Sequence, residues 1–229
     1  MDEIPLPRRA AAEAIGTAAL VASVVGSGIA ASRLSDDPGI QLLANSLATA
    51  LALTVIILVV MPVSGAHLNP VVSIADAVLG RRHRDGLRGG ALAAVIAAQL
   101  AGAIAGAVLA NLMFEVPTAI STTDRASAGT VLGEIVATAG LIVVIVALLR
   151  TGQRAWIAPA VGAYIGAAYW VTSSTAFANP AVTIGRIVTD TFAGIAPVSA
   201  LLFIAAQIVG AAVGLLVAHL LFPPTSQKD

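Results

Sequence analysis

The chain has 229 residues, 58% of them hydrophobic and only 10% charged, with a mean hydropathy of +0.95. Soluble domains are nearer half apolar and a quarter charged, so this composition excludes an ordinary soluble protein and points to the membrane. Twelve basic and twelve acidic side chains cancel, giving no electrostatic basis for a nucleic-acid partner, and the absence of cysteine excludes disulfides, thiolate metal sites and thiol chemistry.

A span needs about 20 apolar residues to cross a hydrocarbon core of about 30 Å. Six stretches qualify in chain order, at roughly 10–31, 42–62, 89–112, 129–149, 155–175 and 197–222. The first follows Arg8 and Arg9, as a cleaved signal peptide would. It is nonetheless long enough to span and carries Glu13, an acid that returns in a later copy, so it is read as a retained span. Two shorter segments, 69–79 and 179–189, lie between the second and third spans and between the fifth and sixth, and each opens with Asn-Pro. Ten helical residues reach about 15 Å, half a bilayer. Re-entrant half-helices of that kind are tolerated only where they are buried in protein or line a pore.

Basic residues alternate with the loops. Arg8, Arg9, Arg81, Arg82, Arg84, Arg88, Arg150, Arg154 and Lys228 fall on one side of the six spans, against Arg33, Arg125 and Arg186 on the other. Nine against three places both termini in the cytoplasm.

An internal repeat runs through the chain. Glu13-x-x-x-Thr17 returns as Glu134-x-x-x-Thr138, Asn69-Pro70 as Asn179-Pro180, and Gln99-x-x-Gly102-x-x-x-Gly106 as Gln207-x-x-Gly210-x-x-x-Gly214, in the same order. Each half holds three spans, an odd number, so the second copy is inverted in the membrane. The expectation is an all-α membrane protein of six transmembrane helices plus two half-helices. It forms a single domain over 1–229 whose halves cover 1–114 and 129–222.

Asn is a favoured N-cap and Pro suits the first helical position, so Asn-Pro starts a helix abruptly. Inverted repeats point the two helix N-termini at each other near the bilayer centre, each carrying roughly half a positive charge. Cations and protons are repelled there, while a neutral solute can accept hydrogen bonds from the amides of Asn69 and Asn179. The Gly-x-x-x-Gly pairs, Gly162 and Gly166 included, are read as close helix contacts.

The runs Ser64-Gly65-Ala66-His67-Leu68-Asn69-Pro70 and Phe177-Ala178-Asn179-Pro180-Ala181 resemble the paired signatures of the major intrinsic protein family, the aquaporins and aquaglyceroporins. The resemblance covers nearly the whole chain. It implies an aquaporin-like fold in the cell (inner) membrane, a homotetramer with one pore per subunit, and passive passage of small neutral solutes, with no enzyme activity and no cofactor. The first motif reads Asn69-Pro70-Val71 where Ala is usual, so packing between the half-helices should differ slightly. Glu13 and Glu134 have two readings: proton coupling in a secondary transporter, or acceptors for the loop backbone, the role the resemblance implies. His67 lines the pore through its ring or carbonyl, or is a packing histidine. Histidines 67, 83 and 219 are too scattered for a metal site, and no nucleotide-binding loop is present.

By the family's spacing the selectivity filter falls on Thr49, Ala167, Ala176 and Val182, with Val182 where an Arg is usual. That constriction is wide and carries no fixed charge. Arg186, one turn further on, is read either as a displaced substitute lining the outer vestibule or as a solvated loop residue, with Asp190 placed to pair with it. These departures, with the run Ala167-Ala168-Tyr169-Trp170, resemble a bacterial branch associated with metalloid resistance, which implies solutes such as glycerol and arsenite.

Overall fold

The structure, a computed structural model, describes residues 4–80 and 87–223. Arg81, Arg82, His83, Arg84 and Lys228, used in the charge and metal readings above, lie outside the described residues. The apolar stretches fold as α1 (Leu6–Leu34), α2 (Pro38–Ser64), α3 (Pro70–Leu79), α4 (Gly89–Met113), α5 (Ala128–Arg150), α6 (Ile157–Val171), α7 (Pro180–Gly185) and α8 (Pro197–Leu221). Local chemistry sets their ends. Asp37 caps α2 by accepting from the backbone N–H groups of Gly39 and Ile40, and Gly65 closes that helix at φ 96°, a left-handed turn that glycine adopts without penalty. Ser127 and Thr130 form a reciprocal capping box at the start of α5.

Five helices, α1, α2, α4, α5 and α8, are long and apolar enough to cross a membrane. The sixth span is built differently. A 3₁₀ turn over Arg154–Trp156 leads into α6, whose 15 residues give about 22 Å of helix. It stops earlier than the apolar stretch suggests because the run Thr172-Ser173-Ser174-Thr175 leaves the helix, and Thr172 is already extended. Hydroxyl side chains compete with the helix for backbone partners. The second half-helix is also shorter than its sequence segment: α7 ends at Gly185 and continues as a 3₁₀ turn over Arg186–Val188.

The repeat becomes two matching seams, α1 on α4 and α5 on α8. On α4, a Cβ added to Gly102 or Gly106 would collide with the carbonyl oxygens of Ala14 and Ala18. On α8, Gly210 and Gly214 meet the carbonyls of Ile135 and Ala139 in the same way. Ala14 to Ile135 and Ala18 to Ala139 are each the 121-residue step that also relates Glu13 to Glu134. Helices approach this closely only where the side chain is a hydrogen atom. The half-helices α3 and α7 lie between the seams, both touching α4 and α8. Leu43, Leu47, Leu51, Val55 and Leu58 form an exposed stripe on the outward face of α2.

Gly106→Val is expected to lower the melting temperature in detergent, since overpacking costs about 1–3 kcal/mol and the obstacle here is backbone. Gly90→Val in the same helix, where an added Cβ meets nothing within 4 Å, is expected to stay close to wild type.

Candidate functional site: a pore between two half-helices

Asn69 and Asn179 do two jobs each. Their Oδ1 atoms cap their own half-helices, Asn69 accepting from Val71 N (3.1 Å) and Asn179 from Ala181 N (2.9 Å) and Val182 N (3.3 Å). Their Nδ2 atoms cross to the opposite loop, Asn69 donating to Ala178 O and Asn179 to Leu68 O, both at 2.8 Å. An amide nitrogen carries two hydrogens. One is used in this reciprocal clasp, and the second remains for a passing oxygen. Pro70 and Pro180 take the first helical positions, and Val71 and Ala181 are buried behind them.

Both Asn residues line one continuous cavity of ≈ 1180 Å³. It runs from Leu79, Gly80, Arg150, Arg154 and His219 on the face that carries the termini, past Asn69 and Asn179, to Val182 and Arg186 near the opposite face. Aliphatic side chains wall one side, with Thr49, Leu53, Ile57 and Met61 one turn apart on α2 and Val161 and Ile165 on α6. The other side is re-entrant backbone. Ala66 and Leu68 have φ of 52° and 53°, and Thr175, Ala176 and Ala178 have φ of 61°, 49° and 45°. Non-glycine residues held there cost of order 1–3 kcal/mol each and persist only when their surroundings over-determine them.

The over-determining groups are the two buried carboxylates. Glu13 accepts from Ser64 Oγ (2.6 Å), His67 N (2.9 Å), Leu68 N (2.7 Å) and Gln99 Nε2 (2.8 Å). Glu134 accepts from Phe177 N and Ala178 N, both at 2.9 Å, and from Gln207 Nε2 at 2.6 Å. Neither acid is among the cavity-lining residues. Ser64 and Ser174, 110 residues apart, close the turns by accepting from Ala66 N and Ala176 N. Gln99 also donates to Ser73 Oγ (2.9 Å) and Gln207 to Thr183 Oγ1 (2.9 Å).

His67 is half-buried and lines the cavity, with Nδ1 3.1 Å from Ser73 Oγ. The same Ser73 hydroxyl accepts from Gln99, so the His67 ring is tied through it to the glutamine that binds Glu13.

Thr49, Ala176 and Val182, taken from spacing as filter positions, are brought together in the cavity wall. Ala167 is not. It is exposed on the far side of α6, and Tyr169, two residues on and about 200° around the helix, lines the cavity instead. Tyr169 Oη lies 3.2 Å from Thr49 Oγ1. The signal was present in the chain: Val161, Ile165 and Tyr169 follow the four-residue spacing of one helix face.

Arg186 is 3% exposed and lines the cavity, which removes the solvated-loop reading. Its Nε donates to Ala193 O and its guanidinium lies over the Phe177 ring, 3.5 Å from the centroid. Asp190 is not its partner. The 3₁₀ turn breaks the four-residue register, and Asp190 instead accepts from Thr122 N (2.9 Å) and from the hydroxyls of Ser121 and Thr122. Those contacts, the Thr122 N–H foremost, hold its carboxyl below the usual aspartate range. Arg125, which sequence reasoning used only for charge counting, donates to Gly194 O and Phe192 O, both at 2.6 Å, and lies 5.5 Å from the Phe177 centroid.

A path that passes two opposed helix N-termini, with backbone on one side and aliphatic chains on the other, carries neutral solutes without reacting with them; the molecule is a membrane channel. The chain belongs to the major intrinsic protein family, whose profile matches residues 1–173. It is 45% identical over 227 residues to aquaglyceroporin AqpS of Rhizobium meliloti (strain 1021), covering 98% of this chain and 94% of that protein. Its fold is similar to the X-ray structure of the aquaglyceroporin from Plasmodium falciparum, with a TM-score of 0.72 over 93% of this chain and 95% of that one, at 19% identity.

Glu134→Gln is expected to destabilise the channel by about 1–3 kcal/mol, the cost of leaving a buried donor unsatisfied, because an amide presents N–H where one of the loop donors needs an acceptor. Thermal unfolding in detergent checks it. For Asp190 the folded pKa is depressed, so its clamp contributes stability above the ordinary aspartate value of about 4 and loses it as pH falls through the lower folded value. Melting curves from about pH 7 to about pH 3 are expected to fall less steeply in Asp190→Asn than in wild type.

Proposed function

We propose that this channel passes water together with small uncharged solutes of glycerol size and neutral metalloid hydroxides such as arsenite, downhill and without coupling to an ion. Val182 carries the reading. At the position where the family's resemblance leads one to expect an Arg, a buried aliphatic side chain lines the cavity, with Ala176 and Thr49 beside it. The positive charge is displaced one turn, to Arg186 against Phe177, where it lines the outer vestibule and repels cations without filling the constriction. Asn69 and Asn179, each with an uncommitted amide hydrogen, supply the midpoint donors, and His67 supplies a ring group in the other half of the path. The name of the 45% identical relative, an aquaglyceroporin, agrees with solutes larger than water.

The whole chain acts as one channel domain, with halves 1–114 and 129–222. Arg8, Arg9, Arg88, Arg150 and Arg154 lie on the face that carries the termini, which supports cytoplasmic termini in the inner membrane. The exposed leucine stripe on α2 supports a homotetramer in a lipid bilayer, since an apolar helix face must be covered by lipid or by another copy. Proton coupling through Glu13 and Glu134 receives no support: both carboxylates are filled by loop and glutamine donors and stand away from the path.

Stopped-flow light scattering on proteoliposomes tests the reading with water, glycerol and trivalent arsenite. Wild type is expected to pass all three. Val182→Arg should cut the two larger solutes by about tenfold or more, ~1.4 kcal/mol of barrier, while retaining most water flux. Wild-type flux of water alone would show that Arg186 fills the constriction. Arg186→Ala with unchanged solute and cation selectivity would remove its vestibule role, and uphill uptake under a pH gradient would restore the coupled transporter.

A further inference from the structure

Arg186 is the one basic side chain buried among the described residues, and it lies on the cavity wall with 3% of its surface exposed. A buried charge is ordinarily paired with an opposite one. Here the acids of the outer half are engaged elsewhere. Asp190 is held by Ser121 and Thr122, and Glu134 is filled by its loop and Gln207. Asp124 accepts from Ser199 Oγ at 2.6 Å and from Ala126 N at 3.0 Å. None of the three forms an ion pair with Arg186. The Phe177 ring covers one face of the guanidinium, with 3.5 Å between Cζ and the ring centroid, and Nε donates to Ala193 O. A guanidinium has five N–H groups. The four on its two terminal nitrogens find no partner among the described residues, and they open on the cavity. The fork is held still. The carbonyls of Phe192, Ala193 and Gly194 are gripped in turn by Arg125, Arg186 and Arg125 again, and Arg125 places a second positive charge 5.5 Å from the same ring.

A fixed guanidinium edge presents two parallel N–H groups, the arrangement that two oxygens of one planar anion accept together. A carboxylate, bicarbonate or nitrate fits it, whereas a halide has no second oxygen to offer. The inward path gives an anion no equal. Leu53, Ile57, Val161 and Ile165 wall it, and the next arginines lining the cavity, Arg150 and Arg154, stand at its other end. An ion that moved on would exchange the fork and its remaining water for aliphatic surface. We infer that Arg186, stacked on Phe177, forms a docking site for a small planar oxyanion, and that an anion held there obstructs the path and slows the passage of water and neutral solutes. The inference rests on the placement of Arg186 in the outer vestibule, not on the passage of solutes larger than water.

The test is stopped-flow water permeability of proteoliposomes with nitrate on both sides of the membrane, so that channels of either orientation meet it. Total salt is fixed at about 0.1 M, which holds screening constant, while nitrate or chloride replaces a bulky aromatic sulfonate too large for the path. Each protein is compared with its own flux in the sulfonate alone. Wild type is expected to lose flux saturably, about threefold at twice the nitrate dissociation constant, and to lose less in chloride. Arg186→Gln, which keeps hydrogen-bond donors without the charged fork, is expected to lose none. Arg186→Lys, a point charge, is expected to respond to nitrate and chloride alike. Wild-type flux independent of nitrate would overturn the site, as would an equal nitrate effect in Arg186→Gln. Nitrate conduction through wild type, read with a potential-sensitive dye, would overturn the obstruction by showing that the anion passes. Should Arg186→Gln fail to reconstitute, the nitrate-to-chloride contrast between wild type and Arg186→Lys decides the matter. A wild type that passes water but no glycerol, yet is slowed by nitrate, would overturn the wide-pore reading and leave the anion site standing.

Discussion

Backbone groups brought into the middle of a membrane have no water to bind, and the chain does this twice, in the loops leading to α3 and α7. Each unpaired group there would cost several kcal/mol. Glu13 and Glu134 meet the demand from neighbouring spans, each accepting from two consecutive loop N–H groups and from a glutamine on a further helix. Much else follows. The left-handed residues in each loop are held by these carboxylates and by the serine that closes each turn. The helix starts at Asn69 and Asn179 then fall where the asparagines can clasp the opposite loop. Burying a carboxyl group is expensive, and it is sustained here because loop N–H groups and a glutamine amide converge on it.

The two halves share this frame and differ in what they hang on it. His67 and Phe177 occupy equivalent places, 110 residues apart. In the first half the side chain is a ring nitrogen held by Ser73, facing the path. In the second it is an apolar ring that carries the Arg186 guanidinium on its face and meets Phe203 edge-on. The Ser73 hydroxyl meets the His67 ring, whereas Thr183 donates back to Asn179 O. One half of the path therefore presents the His67 ring, and the other is bordered by the Arg186 guanidinium.

The fixed cation is supported from outside the membrane. Arg125, between α4 and α5, donates to the carbonyls of Phe192 and Gly194, and Thr122 of the same stretch donates to Asp190. The segment after α7 is thereby held against Arg186, whose Nε binds Ala193 O and whose own carbonyl accepts from Ile195 N. Arg186 thus keeps its guanidinium at the cavity, while Val182, one turn earlier, presents an aliphatic side chain to it.

The sequence by itself located the apolar stretches, the two Asn-Pro helix starts, the repeated motifs and the pair of acids, while the crossed bonds from each Asn to the opposite loop came only from the fold. Composition and spacing locate a residue along the membrane normal, and a repeat in the same order locates its counterpart. The same spacing carries no reliable information on how far each helix is turned about its own axis, nor on where a helix gives way to a loop or a tighter turn. Ala167 was misplaced for the first reason, the end of α6 and the Arg186–Asp190 pairing for the second. Only the tertiary structure decided these, because the rotation of α6 depends on Ser46 and Ala50 meeting Trp170 and Gly166 from about 120 residues away. Contacts that distant set which side of a helix a solute meets, and local pattern is silent about them.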